Sequence, residues 1–193
     1  CHYDADSKAI ISSILNNTIG CAGQYTRMIK KSLFDENNIS FQKGINFFED
    51  RLIAVKQFTY ASKIEKINRA FYHYVQYNDD SITKKFPEKS VDNMIDAQNL
   101  ISEFLLEKDP SWKDALLDFK CYILFIVWLS GQEELTQKII SLYGDEVKKH
   151  IKHSLSIPKS HTRHILYLYI CGHKKLSAFL MKLIRAVKKI VKF

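Results

Sequence analysis

Two adjacent carboxylates, Glu49 and Asp50, stand at the entrance of an apolar-periodic segment that continues through Leu52, Ile53, Val55 and Tyr60. At a helix start, first-turn amides and the helix dipole favour negative charge and fix its direction, so both side chains are expected to stay ionised. A carboxylate held in this way can accept a proton from a reacting hydroxyl, and it can equally serve only as a cap. Farther along, His73, Ser81, Thr83 and Lys84 offer an imidazole, two hydroxyls and a cation on either side of the polar turn Asn78-Asp79-Asp80. That set suits a phosphate or a phosphate-bound metal.

The elements that must position these groups follow from spacing. Residues 52–62 carry a helical period, whereas 63–67 and 71–76 alternate as strands do. Tyr72, Tyr74 and Tyr77 make one face of the second run rich in tyrosine, which can stack on sugars or fill a half-buried surface. Upstream, Asp6 and Ser7 open a helix through Ile10, Ile11, Ile14 and Leu15 that ends in Asn16-Asn17-Thr18. A turn at 20–23 leads to a short strand or extended entry at 25–31, a helical turn at 32–36 and an Asn-rich loop at 35–44. Asp4-Ala5-Asp6 has the letters of an Asp-x-Asp motif, but no apolar strand precedes it, so both acids read as helix-start residues.

From Ser90 onward the pattern is helical. Ser90 is expected to cap a helix with Val91, Met94, Ile95, Ile101, Phe104 and Leu105 on one stripe, and Asp109-Pro110 supplies a cap and an N1 proline for the next. That helix carries Trp112, Leu116, Leu117, Phe119 and the apolar run 121–129, and Gly131 ends it. The run has nine residues, and a membrane span needs about 20. A helix over 134–143 is expected to stop at Gly144, and Pro158 to break the chain after a further short one.

Three stretches resemble one enzyme family. Tyr25-Thr26-Arg27-Met28-Ile29-Lys30-Lys31-Ser32-Leu33-Phe34, Gly44-Ile45-Asn46-Phe47-Phe48-Glu49-Asp50, and Phe71-Tyr72-His73-Tyr74 with Ser81-Ile82-Thr83-Lys84 are similar, in order and spacing, to segments of family 2 glycosyltransferases of the bacterial surface-polysaccharide kind. The resemblance covers about residues 20–84 and departs from the family where Tyr25 replaces Trp, Phe48 replaces Gly and Val75 replaces Arg. It implies that Asp50 is the base that deprotonates an acceptor hydroxyl, with Glu49 orienting it or touching the acceptor. Tyr25, Phe48 and Tyr74 are implied to border the acceptor. His73, Ser81, Thr83 and Lys84 are implied to lie at the donor diphosphate, with His73 as a possible metal ligand.

The resemblance further implies a nucleotide-sugar donor, a saccharide or lipid-linked acceptor, and a divalent metal, Mg or Mn, in the full-length enzyme. The donor half is expected to precede residue 1, which makes this chain the acceptor-side and C-terminal portion, inactive or nearly so alone. The implied fold is mainly α with a few short β-strands (α+β). It comprises a remnant of an A-type glycosyltransferase α/β domain over 1–86, a helical bundle over 87–175 and a basic amphipathic helix over 176–193.

Charge and cysteine usage bound the setting. The net charge of +8 lies in the tail: residues 147–193 hold 12 Lys or Arg and no Asp or Glu, while residues 1–146 hold 17 basic and 21 acidic residues. Leu176, Phe179, Leu180, Leu183, Ile184, Val187, Ile190 and Val191 recur at helical spacing opposite Lys182, Arg185, Lys188, Lys189 and Lys192. Such a helix suits an anionic membrane surface, or it packs on the bundle with solvated lysines. Nucleic acid is not expected, because no aromatics interleave with those lysines. His150, His153, His161, His164 and His173 form a local excess with no acid nearby in sequence, read as a metal site or as solvated surface. Cys1, Cys21, Cys121 and Cys171 are widely spaced, and with no leader visible they point to reduced thiols at the cytoplasmic face of the membrane. Against the enzyme stands a noncatalytic helical interaction module with a basic tail for membrane or nucleic acid.

Overall fold

In the computed structural model of the chain, residues 7–18, 23–73, 88–158 and 161–190 are described. Their elements in order are α1 (Ser7–Leu15), a 3-10 turn (Gln24–Thr26), α2 (Lys31–Glu36), α3 (Glu49–Tyr60), α4 (Glu88–Lys108), a second 3-10 turn (Pro110–Trp112), α5 (Lys113–Ser130), α6 (Glu133–His150), α7 (His161–Ile170) and α8 (Lys174–Ile190). The chain divides into two compact units, 1–116 and 117–193, with the division inside α5. The boundary expected at residue 86 lies outside the described residues.

The α+β fold is corrected to an all-helical one: no strand occurs among the described residues. Residues 63–67 and 71–73 are irregular and mostly exposed, and 25–31 holds the 3-10 turn and the start of α2 instead of a strand. Alternation marks a segment able to pair, but a strand exists only where a neighbour completes its ladder. No second strand is offered among these residues, so the A-type α/β remnant is not what they form.

In the first unit α3 is the central helix. Arg51, Leu52, Ile53, Ala54, Val55 and Gln57 are all buried, which requires neighbours on several sides. They are α1, α2 and α4. Ile11, Ile14 and Leu15 enter from α1, and Val91, Met94, Ile101 and Leu105 from α4. Asn17 adopts a left-handed φ of 56° beyond the end of α1. There Asn16 Oδ1 accepts from the Thr18 amide and hydroxyl at 3.0 and 2.7 Å, the local bonding by which Asn stops a helix.

Asp109 caps as its sequence context indicates, accepting from the Ser111 amide at 2.8 Å ahead of Pro110. Lys8 reaches the same carboxylate at 3.0 Å and the Ser111 hydroxyl at 2.6 Å, tying α1 to this corner. The hydrogen bonds from Ser111, followed by Lys8, lower the Asp109 pKa to about 2. Its contribution to stability is therefore present above the ordinary 3.8 and lost as pH falls toward 2. Ser90 lies buried inside α4, two residues past its start, and is not the cap.

In the second unit, Gly131 (φ 78°) ends α5 as its position suggests, and Gly172 (φ 91°) separates α7 from α8. Gly144 does not end α6, which runs on to His150 because Tyr143 and Val147 are buried on either side of it. Burial outweighs the roughly 1 kcal/mol propensity cost of a helical glycine. Glu133 at the start of α6 accepts from the Tyr169 hydroxyl of α7 and from Lys174 of α8, joining three helices.

Arg163 of α7 is buried and donates to the carbonyls of Lys152, Ser154 and Ile157, so one guanidinium organises the loop between α6 and α7. Beside it the Cys121 thiol is fully buried and burial raises its pKa to about 12. Arg163→Met keeps most of the stem volume and strands three carbonyls. It is expected to lower the unfolding free energy by about 3 kcal/mol in urea titration.

Candidate functional site

Three of the sequence-derived candidates, Phe48, Glu49 and Asp50, lie at the first turn of α3, and the turn that carries Tyr25 is bonded to it. Phe48 precedes that turn with φ 69° and ψ 7°, the left-handed conformation. A side chain there costs about 1–2 kcal/mol. It is a conformation that glycine adopts readily and a bulky side chain rarely does. The Phe48 ring packs over the Arg51 guanidinium at 4.8 Å and against Phe47 at 5.5 Å, which offsets part of the strain. Its carbonyl accepts from the Arg51 and Leu52 amides at 3.0 and 3.1 Å, starting the helix without a side-chain cap.

Four polar side chains hold the site's backbone. Arg51, only 5% exposed, donates to the Ile14 carbonyl and to Asn17 Oδ1, anchoring the turn on the end of α1. Asn93 of α4 accepts from the Asn46 amide at 2.7 Å and donates to the Gly44 carbonyl at 3.4 Å, fixing the chain that enters α3. Gln24 Nε2 donates to the Asp50 carbonyl at 3.1 Å, and Gln57, 3% exposed, donates to Gln24 Oε1 at 2.8 Å. The 3-10 turn is thereby stapled across the start of α3. None of these four side chains belonged to the expected site, and glutamine, asparagine and arginine carry no local signal that distinguishes a buried strut from a solvated surface.

The stapled turn brings Tyr25 and Arg27 with it. Tyr25 stacks on Tyr72 with ring centroids 4.7 Å apart and planes 28° from parallel, which joins the first resembling stretch to the third. Gly23 makes room for that stack, because a Cβ there would lie 2.5 Å from the Tyr25 ring. Arg27 lies over the Phe58 ring at 5.4 Å and close enough to Asp50 to favour its charged form. Tyr25 and Tyr72 remain 47% and 56% exposed, an aromatic surface open to a ligand.

Both carboxylates have pKa values raised above the ordinary range. For Asp50 burial is the largest cause, opposed by Arg27 and by the Gln24 amide; for Glu49 it is burial, opposed by its own backbone and reinforced by Asp50. In each case burial is the largest influence and acts to raise the pKa. The result is a pair of carboxyl groups with enhanced affinity for a proton, one of them beside a guanidinium.

The remaining candidates divide. His73 is described and exposed, one residue after the stacked Tyr72, while Tyr74, Ser81, Thr83 and Lys84 lie outside the described residues. Among the described residues no three His, Cys, Asp or Glu side chains gather as a metal site, so those present do not fit a divalent ion, and His73 stands as a lone imidazole. The histidine excess resolves in part: His150 Nε2 lies 3.1 Å from the buried Asp118, which also accepts from the Leu155 amide at 3.0 Å. Its acid comes from 32 residues away, where neighbours in sequence give no sign of it.

Two outcomes are expected. Asp50→Asn and Glu49→Gln each raise the melting temperature at neutral pH, because ionising a group whose folded pKa is raised costs stability as pH rises through and above the ordinary carboxylate value. The gain shrinks as pH falls back through that value, and a pH series of melts checks it. Gln57→Leu frees Gln24, and amide exchange at residues 24–26 accelerates on the order of tenfold.

The chain matches no protein-family model, no curated protein and no solved structure.

Proposed function

We propose that the chain supplies the acceptor-side carboxylate of an inverting glycosyl transfer. Asp50 takes the proton from an acceptor hydroxyl while that oxygen bonds to the anomeric carbon of a nucleotide sugar. The bond from that carbon to the diphosphate breaks with its electron pair, and the nucleoside diphosphate leaves. Glu49 orients the base or the acceptor, Arg27 favours the ionised base, and the Tyr25–Tyr72 stack offers a face to a sugar ring. One observation supports this reading above the others: Gln24, next to the first resembling stretch, bonds the Asp50 carbonyl of the second, and Tyr25 of the first stacks on Tyr72 of the third.

The reading rests on the site and not on a sheet. Donor recognition falls to His73, to Ser81, Thr83 and Lys84, which lie outside the described residues, and to the donor half of the full-length enzyme, which would also hold any Mg or Mn ion. The acceptor is a saccharide or a lipid-linked one. The protein works peripherally at the cytoplasmic face of the membrane.

The test is nucleoside diphosphate release from a panel of nucleotide sugars and acceptors, by the longest polypeptide the gene encodes. Asp50→Asn is expected to lower turnover by roughly 10²–10⁴-fold while donor affinity stays within about twofold. Unchanged turnover refutes the assignment of the base.

A further inference from the structure

We infer that α8 is a docking surface for an anionic lipid bilayer. One edge of this helix is held within its own unit: Ser177 is fully buried and its hydroxyl donates to the Ile165 carbonyl at 3.0 Å, while Lys174 binds Glu133 at 3.1 Å. Leu176, Phe179 and Leu183 follow at intervals of three and four residues, which places them on one stripe. They are 49%, 62% and 51% exposed. Single exposed apolar residues are ordinary, but three large ones in a row along two turns mark a surface that meets a partner.

Charge identifies the partner. Residues 147–193 hold 12 Lys or Arg and no acid. Of these, Arg163 and Lys174 are engaged internally, whereas Lys175 and Lys182 are exposed on α8 itself. A second copy of the helix would set lysine against lysine with no carboxylate to relieve it, and nucleic acid has no use for the apolar stripe. A bilayer of anionic lipid satisfies both faces, taking the stripe below its headgroups and the cations among them. This surface stands independently of the transfer reading, and a protein inactive in glycosyl transfer would still carry it.

The experiment is co-sedimentation of the 193-residue chain with vesicles of phosphatidylcholine alone and of phosphatidylcholine mixed with phosphatidylglycerol. Binding is expected to the mixed vesicles, to weaken with salt, and to be slight on the neutral ones. Phe179→Ser with Leu183→Ser, both at exposed positions and checked by an unchanged thermal melt, is expected to reduce partitioning by at least about tenfold. Lys175→Gln with Lys182→Gln is expected to reduce it roughly 20-fold. Equal binding to neutral vesicles, or no loss in either double variant, overturns the inference. So does a dimer abolished by the serine pair without vesicle binding, or oligonucleotide binding that the serine pair leaves intact. Asp50→Asn leaves vesicle binding unchanged, which separates this result from the fate of the proposed base.

Discussion

The first unit depends on a guanidinium held out of water. Arg51 enters the interior from the first turn of α3 and is held there by the Ile14 carbonyl near the end of α1 and by Asn17 Oδ1. A buried cation is costly unless its donors are met, so its partners are constrained to one arrangement. The carbonyl end of a helix is a favourable place for that charge. The arrangement also sets what lies on either side of Arg51: Asp50 directly before it in the chain, and the Phe48 ring packed on its face. The acidic pair is therefore positioned from below by a buried residue that follows it directly in the chain.

From above, the pair is positioned by the 3-10 turn. Gln57 and Gln24 form a relay from the interior of α3 to the Asp50 backbone, and the turn they hold carries the amide and the guanidinium that favour an ionised Asp50. Burial acts in the opposite sense and is the larger influence. The opposed influences leave the Asp50 carboxyl with a pKa raised above its ordinary value.

Much of the helical fold was legible because its signals are local. The end of α1 at Asn16 and Asn17, the cap at Asp109 and the stop at Gly131 each depend on residues within a turn or two of the event. The strands expected at 63–67 and 71–76 did not form where they are described, since alternation within a segment does not say whether a neighbour will complete its ladder. Gly144 misled for the opposite reason: a helix with buried residues on both sides of a glycine has no cause to end there. At the site, the carboxylates and Tyr25 were visible as residue types. Their supports, Gln24, Gln57 and Asn93, and the acid that meets His150, come from distant parts of the chain. Phe48 lies between these cases. Its residue type was visible, but its left-handed backbone was not, because a phenylalanine gives no sign of a positive φ.

The buried thiol of Cys121 has a practical corollary. Sulfur reacts with alkylating reagents as thiolate, and this one is both enclosed and strongly disfavoured from ionising. Its labelling must wait for the second unit to open, whereas the half-exposed Cys171 needs no such event. In a protein whose other cysteines are replaced, the rate of modification at that sulfur becomes an internal clock for the opening of the helices around it.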